Sequence, residues 1–262
     1  MTSGYKYRKS IVTFIDILGF RDLVKIKTSE EIGEALALLD LVSKGEAGTE
    51  PPEAGLTKTI KFSDSVVRVC PLDSDMQLGS LFHELLALVH IQAELAVAGV
   101  FVRGGVTVGE VYMADGIVFG PAMVRAYDLE SKFAIFPRIV LDPSVMDHYV
   151  SEPAMQGHAH DMDKDIQYME KLVWKSDDQM MFIDYLRAVR AEMDNPEEYP
   201  EYLASHRTMI INAFEGLTKF DSAKHKYLWL AGYHNVVVEE LKEEFGDQLQ
   251  SIEPPDWGEI DP

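Results

Sequence analysis

Cysteine is all but missing from this chain: Cys70 is the only one in 262 residues, so no intramolecular disulfide can form and a reducing compartment is expected. Net positive charge is lacking too. With 24 Lys and Arg against 44 Asp and Glu the formal charge is −20, which argues against a long nucleic acid as partner, because phosphate-backbone affinity rests on a basic footprint. No apolar run reaches membrane-spanning length, since the longest, residues 85–100, is broken by His90, Gln92 and Glu94. The first six residues show no apolar segment of a signal peptide, and a cytoplasmic protein with no membrane segment is expected. A phosphate-binding loop is also absent: Arg103-Gly104-Gly105-Val106-Thr107-Val108-Gly109 lacks the Lys-Ser/Thr pair and does not open a helix.

What is present is ample core material, 47% hydrophobic, with two acids set into it. Asp16 lies in Phe14-Ile15-Asp16-Ile17-Leu18-Gly19-Phe20 and Asp64 in Phe62-Ser63-Asp64-Ser65-Val66-Val67. An ionised carboxylate in such a strand pattern is costly unless paired or metal-bound. No Lys or Arg occurs in residues 11–20, so a divalent cation held between the two strands accounts for both acids. Oxygen donors of this kind suit Mg²⁺ or Mn²⁺, ions that usually bring a phosphate. Taken singly, an Asp near a Gly is as readily a turn former. Gly19, followed by Phe20 to Val24 in helical pattern, reads as strand, tight turn and helix start, where backbone N–H groups can cradle phosphate. Charge is uneven: Lys6, Arg8, Lys9, Arg21, Lys25 and Lys27 surround Asp16 and Asp22, whereas residues 239–261 carry nine acids against Lys242. The basic end fits a triphosphate, or equally a solvated basic face.

Periodicity predicts a strand over 10–16, a helix over 20–26 resuming over 29–42, a flexible insertion over 43–55 and a strand over 56–69 that carries Asp64. A core helix follows over 76–98, then strands over 100–107, 109–113 and 117–119, a helix opening at Gly120-Pro121, and a strand over 138–141. The order β-α-β-β-α-β-β-α-β defines an α+β core over residues 1–150, a mixed sheet with helices against one face. Residues 151–262 read as an extension packed on it. A hairpin is expected over 171–185 across Ser176 to Gln179, helices over 199–217 and 222–245, and a poorly ordered acidic tail from about residue 250. His158 to Asp165 looks like a metal cluster, but Ile166 and Leu172 occupy the Gly and Glu positions of an EF-hand, so a solvated loop is expected. Tyr227, Trp229 and Tyr233, with His225 and His234, fall at helical spacing and read as core or dimer packing.

The Asp16 block, the Asp64 block, Arg103 to Gly109 and Gly120-Pro121-Ala122-Met123-Val124-Arg125-Ala126-Tyr127-Asp128-Leu129-Glu130-Ser131, in that order, resemble the blocks of a class III nucleotidyl cyclase domain over residues 10–145. Phe62-Ser63-Asp64-Ser65 and Ala126 to Ser131 look most like the Pycsar pyrimidine cyclases of bacterial anti-phage defence, which make cyclic UMP or cyclic CMP. The resemblance implies a ferredoxin-like cyclase sheet and two Mn²⁺ (or Mg²⁺) ions per site on Asp16, the Ile17 main-chain carbonyl and Asp64. It implies Gly19, Phe20 and Arg21 meeting the triphosphate of UTP, or else CTP, which is closed to the 3′,5′-cyclic nucleotide with loss of pyrophosphate. It further implies a homodimer with sites between head-to-tail subunits, and a downstream cyclic-nucleotide-binding effector. Purine cyclases carry a transition-state Asn and Arg where this chain has Val124 and Asp128, so Arg103 or Arg125 is expected to supply the catalytic cation. They carry a base-selecting Lys where Ile60 stands; Lys61, one residue closer to Asp64, is the nucleotide-binding candidate, although strand alternation turns it to the other face. Two readings remain beside this one: a non-catalytic cyclase-fold module for nucleotide sensing or dimerisation, and a divergent adenylate or guanylate cyclase.

Overall fold

A computed structural model describes residues 4–44, 57–73, 78–159, 161–215, 217 and 223–255. In chain order the elements are β1 (Arg8–Ile17), α1 (Phe20–Ile26), α2 (Ser29–Lys44), β2 (Lys58–Phe62), β3 (Ser65–Pro71), α3 (Ser80–Val97), β4 (Val102–Ala114), β5 (Ile117–Phe119) and α4 (Pro121–Asp128). A π-helical turn, Leu129–Phe133, continues α4. Then come β6 (Ile139–Leu141), α5 (Val145–Ser151), α6 (Met162–Glu170), β7 (Val173–Lys175), β8 (Met181–Ile183), α7 (Tyr185–Glu192), α8 (Tyr199–Glu215) and α9 (Lys224–Phe245).

Alternation along β1 sets the architecture. Ile11, Ile15 and Ile17 enter one core with Leu81, Leu85 and Leu88 of α3, while Val12 and Phe14 enter a second with Ala122 and Ala126 of α4. β1 is antiparallel to β3 on one side and to β4 on the other. The sheet runs β2-β3-β1-β4-β6-β8-β7, with β5 folded back on β4 and only the β4–β6 pair parallel. The α+β class and the mixed sheet are as expected. One helix departs from the one-faced arrangement: α4 packs on the face opposite α3. Gly105 makes this close approach possible, because a Cβ there would lie 2.7 Å from the Ala126 carbonyl and strike Leu129.

The predicted strand over 56–69 is split by a hairpin turn at Ser63 and Asp64. Phe62 pairs with Ser65, and Ser63 takes φ +53°, a left-handed conformation in which a strand cannot continue. The strands predicted over 100–107 and 109–113 are one, β4. The predicted hairpin forms as β7 and β8, and through Val140 opposite Phe182 it lengthens the same sheet, so the C-terminal region continues the core as well as packing on it. Asp161 caps α6 by accepting from the Lys164 N–H at 3.0 Å, and buried Asp165 accepts from Tyr149; this part of the predicted loop is therefore helical. The start of the acidic tail is docked: Ile252 is buried, and its N–H and carbonyl pair with the Asn235 amide at 2.7 and 2.9 Å. The aromatic run is core packing, with Trp229 stacked on Phe136 and the buried Tyr233 hydroxyl donating to Asp184 at 2.5 Å. Residues 45–55 of the predicted insertion, Met76, His160, Ser222 and the tail from Asp256 lie outside the described residues.

α3 is the one helix among the described residues long and apolar enough to cross a membrane, and its apolar side chains line the core. It also carries a buried acid. Glu84 takes both arms of Arg68 (β3) at 2.8 Å and the Thr13 hydroxyl (β1) at 2.9 Å, while Arg68 also reaches the Ser43 carbonyl of α2. One ion pair thus joins four elements. Glu84→Ala strands a buried guanidinium and is expected to lower unfolding free energy by about 3–5 kcal/mol in urea titration, with an Arg68→Met/Glu84→Met pair recovering most of the loss. A single-variant cost below about 1 kcal/mol would contradict this role.

Candidate active site

Register places Asp16, at the end of β1, opposite Ser65 of β3 on one side and Arg103 of β4 on the other. Cross-strand partners share a face, so the three side chains converge. The Ser65 hydroxyl donates to Asp16 Oδ1 at 2.8 Å, and Arg103 Nη2 lies 3.5 Å from Asp16 Oδ2. The Ile17 N–H donates to the Asp64 carbonyl at 3.2 Å, which ties the β2–β3 turn to the end of β1 and brings Asp64 alongside Asp16. Burial pushes the Asp16 carboxyl above its ordinary value; the Ser65 hydrogen bond opposes this, the Asp64 charge adds to it and Arg103 counters it.

A third acid arrives from the other side. The bare surface at Gly105 lets the π-helical turn lie flush on β4, and this sets Glu130 Oε1 2.7 Å from Arg103 Nη2. The Glu130 side chain is 3% exposed, and burial raises its carboxyl to about 7; Arg103 opposes the rise, Asp16 adds to it, Lys226 opposes it and Asp64 adds to it. Lys226, in the first turn of α9, is pushed down by burial and by Arg103, against the pull of Glu130 and Asp16. Three carboxylates and two cations therefore share one end of the sheet.

Among the residues singled out from sequence, the fold brings together Asp16, Asp64 and Arg103, with Ile17 between them. Gly19 has φ +70° and open space at its Cβ position, and it turns the chain into α1, so Phe20 and Arg21 follow at the same sheet end. Lys61 is not brought there. It pairs with Val66, whose side chain enters the α3-side core, and its Nζ donates to the Leu36 carbonyl of α2 at 2.9 Å. Arg125 is held elsewhere within this chain, its Nε 2.6 Å from Asp142 Oδ2, where Thr107 also donates at 3.0 Å. Val124 is exposed on α4, and Asp128 pairs with Lys132 at 2.8 Å. Sequence reasoning missed Glu130 and Lys226 as site residues. A buried-looking Glu after Leu129 in a helical block was a usable signal for the first; nothing local marks the second.

No three His, Cys, Asp or Glu among the described residues form a ready cation cage. The donor set still fits a hard divalent ion arriving with substrate, because Mg²⁺ commonly takes one or two carboxylates and completes its shell with phosphate and water. An Asp16 whose ionised form is disfavoured chiefly by burial and further by the Asp64 charge is a carboxylate that such a cation would stabilise.

No protein-family model matches the chain, and no curated protein does. Among solved structures it is similar to a bacterial light-regulated adenylyl cyclase, at 16% identity and TM-score 0.41 over 56% of this chain and 81% of that one. A second structure of a bacterial light-regulated adenylyl cyclase aligns at 16% identity and TM-score 0.44, over 56% of this chain and 46% of that one. The catalytic core of a rhodopsin-guanylyl cyclase with converted specificity, in complex with ATPalphaS, aligns at 12% identity and TM-score 0.40, over 68% of this chain and 95% of that one.

The raised Glu130 carboxyl gives stability a definite pH sign. A carboxyl with a raised folded-state pKa contributes stability that is fully present below its ordinary value of 4.5 and is lost as pH rises through about 7. In chelator-treated protein, the stability of Glu130→Gln relative to the parent is therefore expected to increase between pH 4 and pH 8, by roughly 3 kcal/mol in urea titrations. A difference that stays constant over this range would show that Glu130 titrates normally.

Proposed function

We propose that the chain is a nucleotidyl cyclase that converts a pyrimidine nucleoside triphosphate, UTP before CTP, into the 3′,5′-cyclic monophosphate and pyrophosphate. The observation that carries this reading is the convergence of Asp16 and Asp64 at one sheet end, with Arg103 in register beside Asp16. Asp16 and Asp64, with the Ile17 carbonyl, would hold two Mn²⁺ or Mg²⁺ ions. Bound there, such ions would lower the pKa of the ribose 3′ hydroxyl and neutralise phosphate charge. Ser65 fixes the Asp16 carboxylate through its hydrogen bond. The turn at Gly19 presents the first N–H groups of α1, at Phe20 and Arg21, which have no intrahelical partners and are placed to meet the triphosphate. The 3′ oxygen attacks the α phosphorus, the bond to the bridging α–β oxygen breaks, and the hydroxyl proton passes to water. Arg103 offsets the charge that grows on the phosphoryl oxygens, held in readiness by Glu130.

Absence of a purine-selecting cation supports the pyrimidine base: Ile60 is apolar and Lys61 is spent on α2. The Phe62 to Ser65 and Ala126 to Ser131 blocks support the finer reading of a cytoplasmic second messenger in anti-phage defence, read by a cyclic-nucleotide-binding effector. A homodimer is supported by the apolar side chains left exposed on α4 and β5, Val124, Tyr127, Ile117 and Phe119, since a second copy would cover them. In that arrangement Arg125, 41% exposed, would face the partner.

The test is incubation with Mn²⁺ and each of ATP, GTP, CTP and UTP, with products resolved by chromatography and mass detection. One pyrimidine triphosphate is expected to yield its cyclic monophosphate. Turnover should fall about a hundredfold or more in Asp64→Ala and in Arg103→Ala, with the fold retained. Cyclic AMP or GMP instead would identify a divergent purine cyclase, and binding with no product would identify a nucleotide-sensing module.

A further inference from the structure

Lys226 sits where a helix prefers acids. α9 opens Lys224-His225-Lys226 with no acid in its first turn, in a chain of net charge −20. Two ring contacts fix the position of that turn: Tyr227 meets Phe101 with centroids 6.0 Å apart, and His225 meets Phe136 at 6.2 Å. Phe101 leads into β4, and its carbonyl accepts the Leu18 N–H at 2.8 Å, just past the end of β1. Phe136 follows the turn that carries Glu130. The turn bearing Lys226 therefore lies against the end of the sheet where Asp16, Arg103 and Glu130 meet. Lys226 is half-buried, and its ammonium has no ion-pair or hydrogen-bond partner among the described residues. A half-buried ammonium beside a guanidinium, with no carboxylate committed to it, is an arrangement that a polyanion relieves.

We propose that Lys226, delivered by the C-terminal extension, contacts the phosphates of a nucleotide bound in the same subunit and forms with Arg103 the cationic pair of the site. This rests on the nucleotide reading above. It gives the extension a direct part in substrate binding, beyond lengthening the sheet. A compact ammonium on a flexible stem suits a triphosphate, whose oxygens present charge without one fixed bidentate geometry.

Calorimetric titration of inorganic tripolyphosphate with Mn²⁺ into the full chain tests the assignment without requiring turnover. Lys226→Gln is expected to bind about tenfold more weakly and Lys226→Arg within about threefold of the parent. Lys242→Gln, the same charge change at the far end of α9, is expected to match the parent. Lys226→Met, which keeps the aliphatic stem, replaces Lys226→Gln if circular dichroism shows that the latter has unfolded. Parental affinity in Lys226→Gln or Lys226→Met, whatever the melting temperature, would overturn the assignment and leave Lys226 as a charge-balancing residue of the fold. If the parent binds neither tripolyphosphate nor any nucleoside triphosphate, the cyclase reading falls and this assignment with it.

Discussion

The register of β1 between β3 and β4 is the constraint on which the rest of the molecule depends. Side chains on a strand alternate with a period of two, so a slip of one residue would carry Asp16 to the α3 face and turn Ile15 and Ile17 out of their core. The alternation itself resists that slip, and so does Thr13, whose hydroxyl reaches into the buried Arg68–Glu84 pair. From this one register follow the Asp16–Ser65 hydrogen bond, the approach of Arg103 and, through the Ile17 N–H, the seat of the β2–β3 turn that carries Asp64.

Stability and function pull against each other at this end of the sheet. Asp16 and Glu130 are both driven toward their protonated forms by burial and by neighbouring acids, and Lys226 is driven toward its neutral form. A fold selected only for stability would fill such a place with apolar side chains. Carboxylates and cations held out of bulk water without full mutual satisfaction are what the proposed site for metal-bound phosphate would require, with both signs of charge placed before the ligand arrives. The buried Arg68–Glu84 pair is the contrasting case, because its charges are satisfied by each other and by Thr13 and the Ser43 carbonyl.

Much of this was legible in the residues because it is local. Asp16 stands out as an acid within Phe14 to Leu18, and Gly19 ends that strand; Lys61 does lie away from the site, but through its pairing with Val66 across the turn and its bond to α2, not through alternation along one strand to Asp64. The turn at Ser63 and Asp64 was hidden because residues on both sides continue a strand pattern, and only pairing of Phe62 with Ser65 forces the reversal. Gly120-Pro121 marks the start of α4 but does not say which face of the sheet the helix covers; that depends on the close approach at Gly105. Glu130 and Lys226 become neighbours through the crossover to β6 and the return of α9, contacts between segments far apart in the chain that no spacing rule reaches.

Everything proposed for this site turns on Asp16 and Asp64 holding divalent cations together with a nucleotide. Crystals grown with Mn²⁺ and α,β-methylene UTP, measured at the manganese absorption edge, test it most directly. Two neighbouring anomalous peaks are expected at the Asp16 and Asp64 carboxylates, with the triphosphate reaching toward Arg103. Nucleotide bound with no manganese at these two aspartates, or manganese seated elsewhere on the chain, would contradict it.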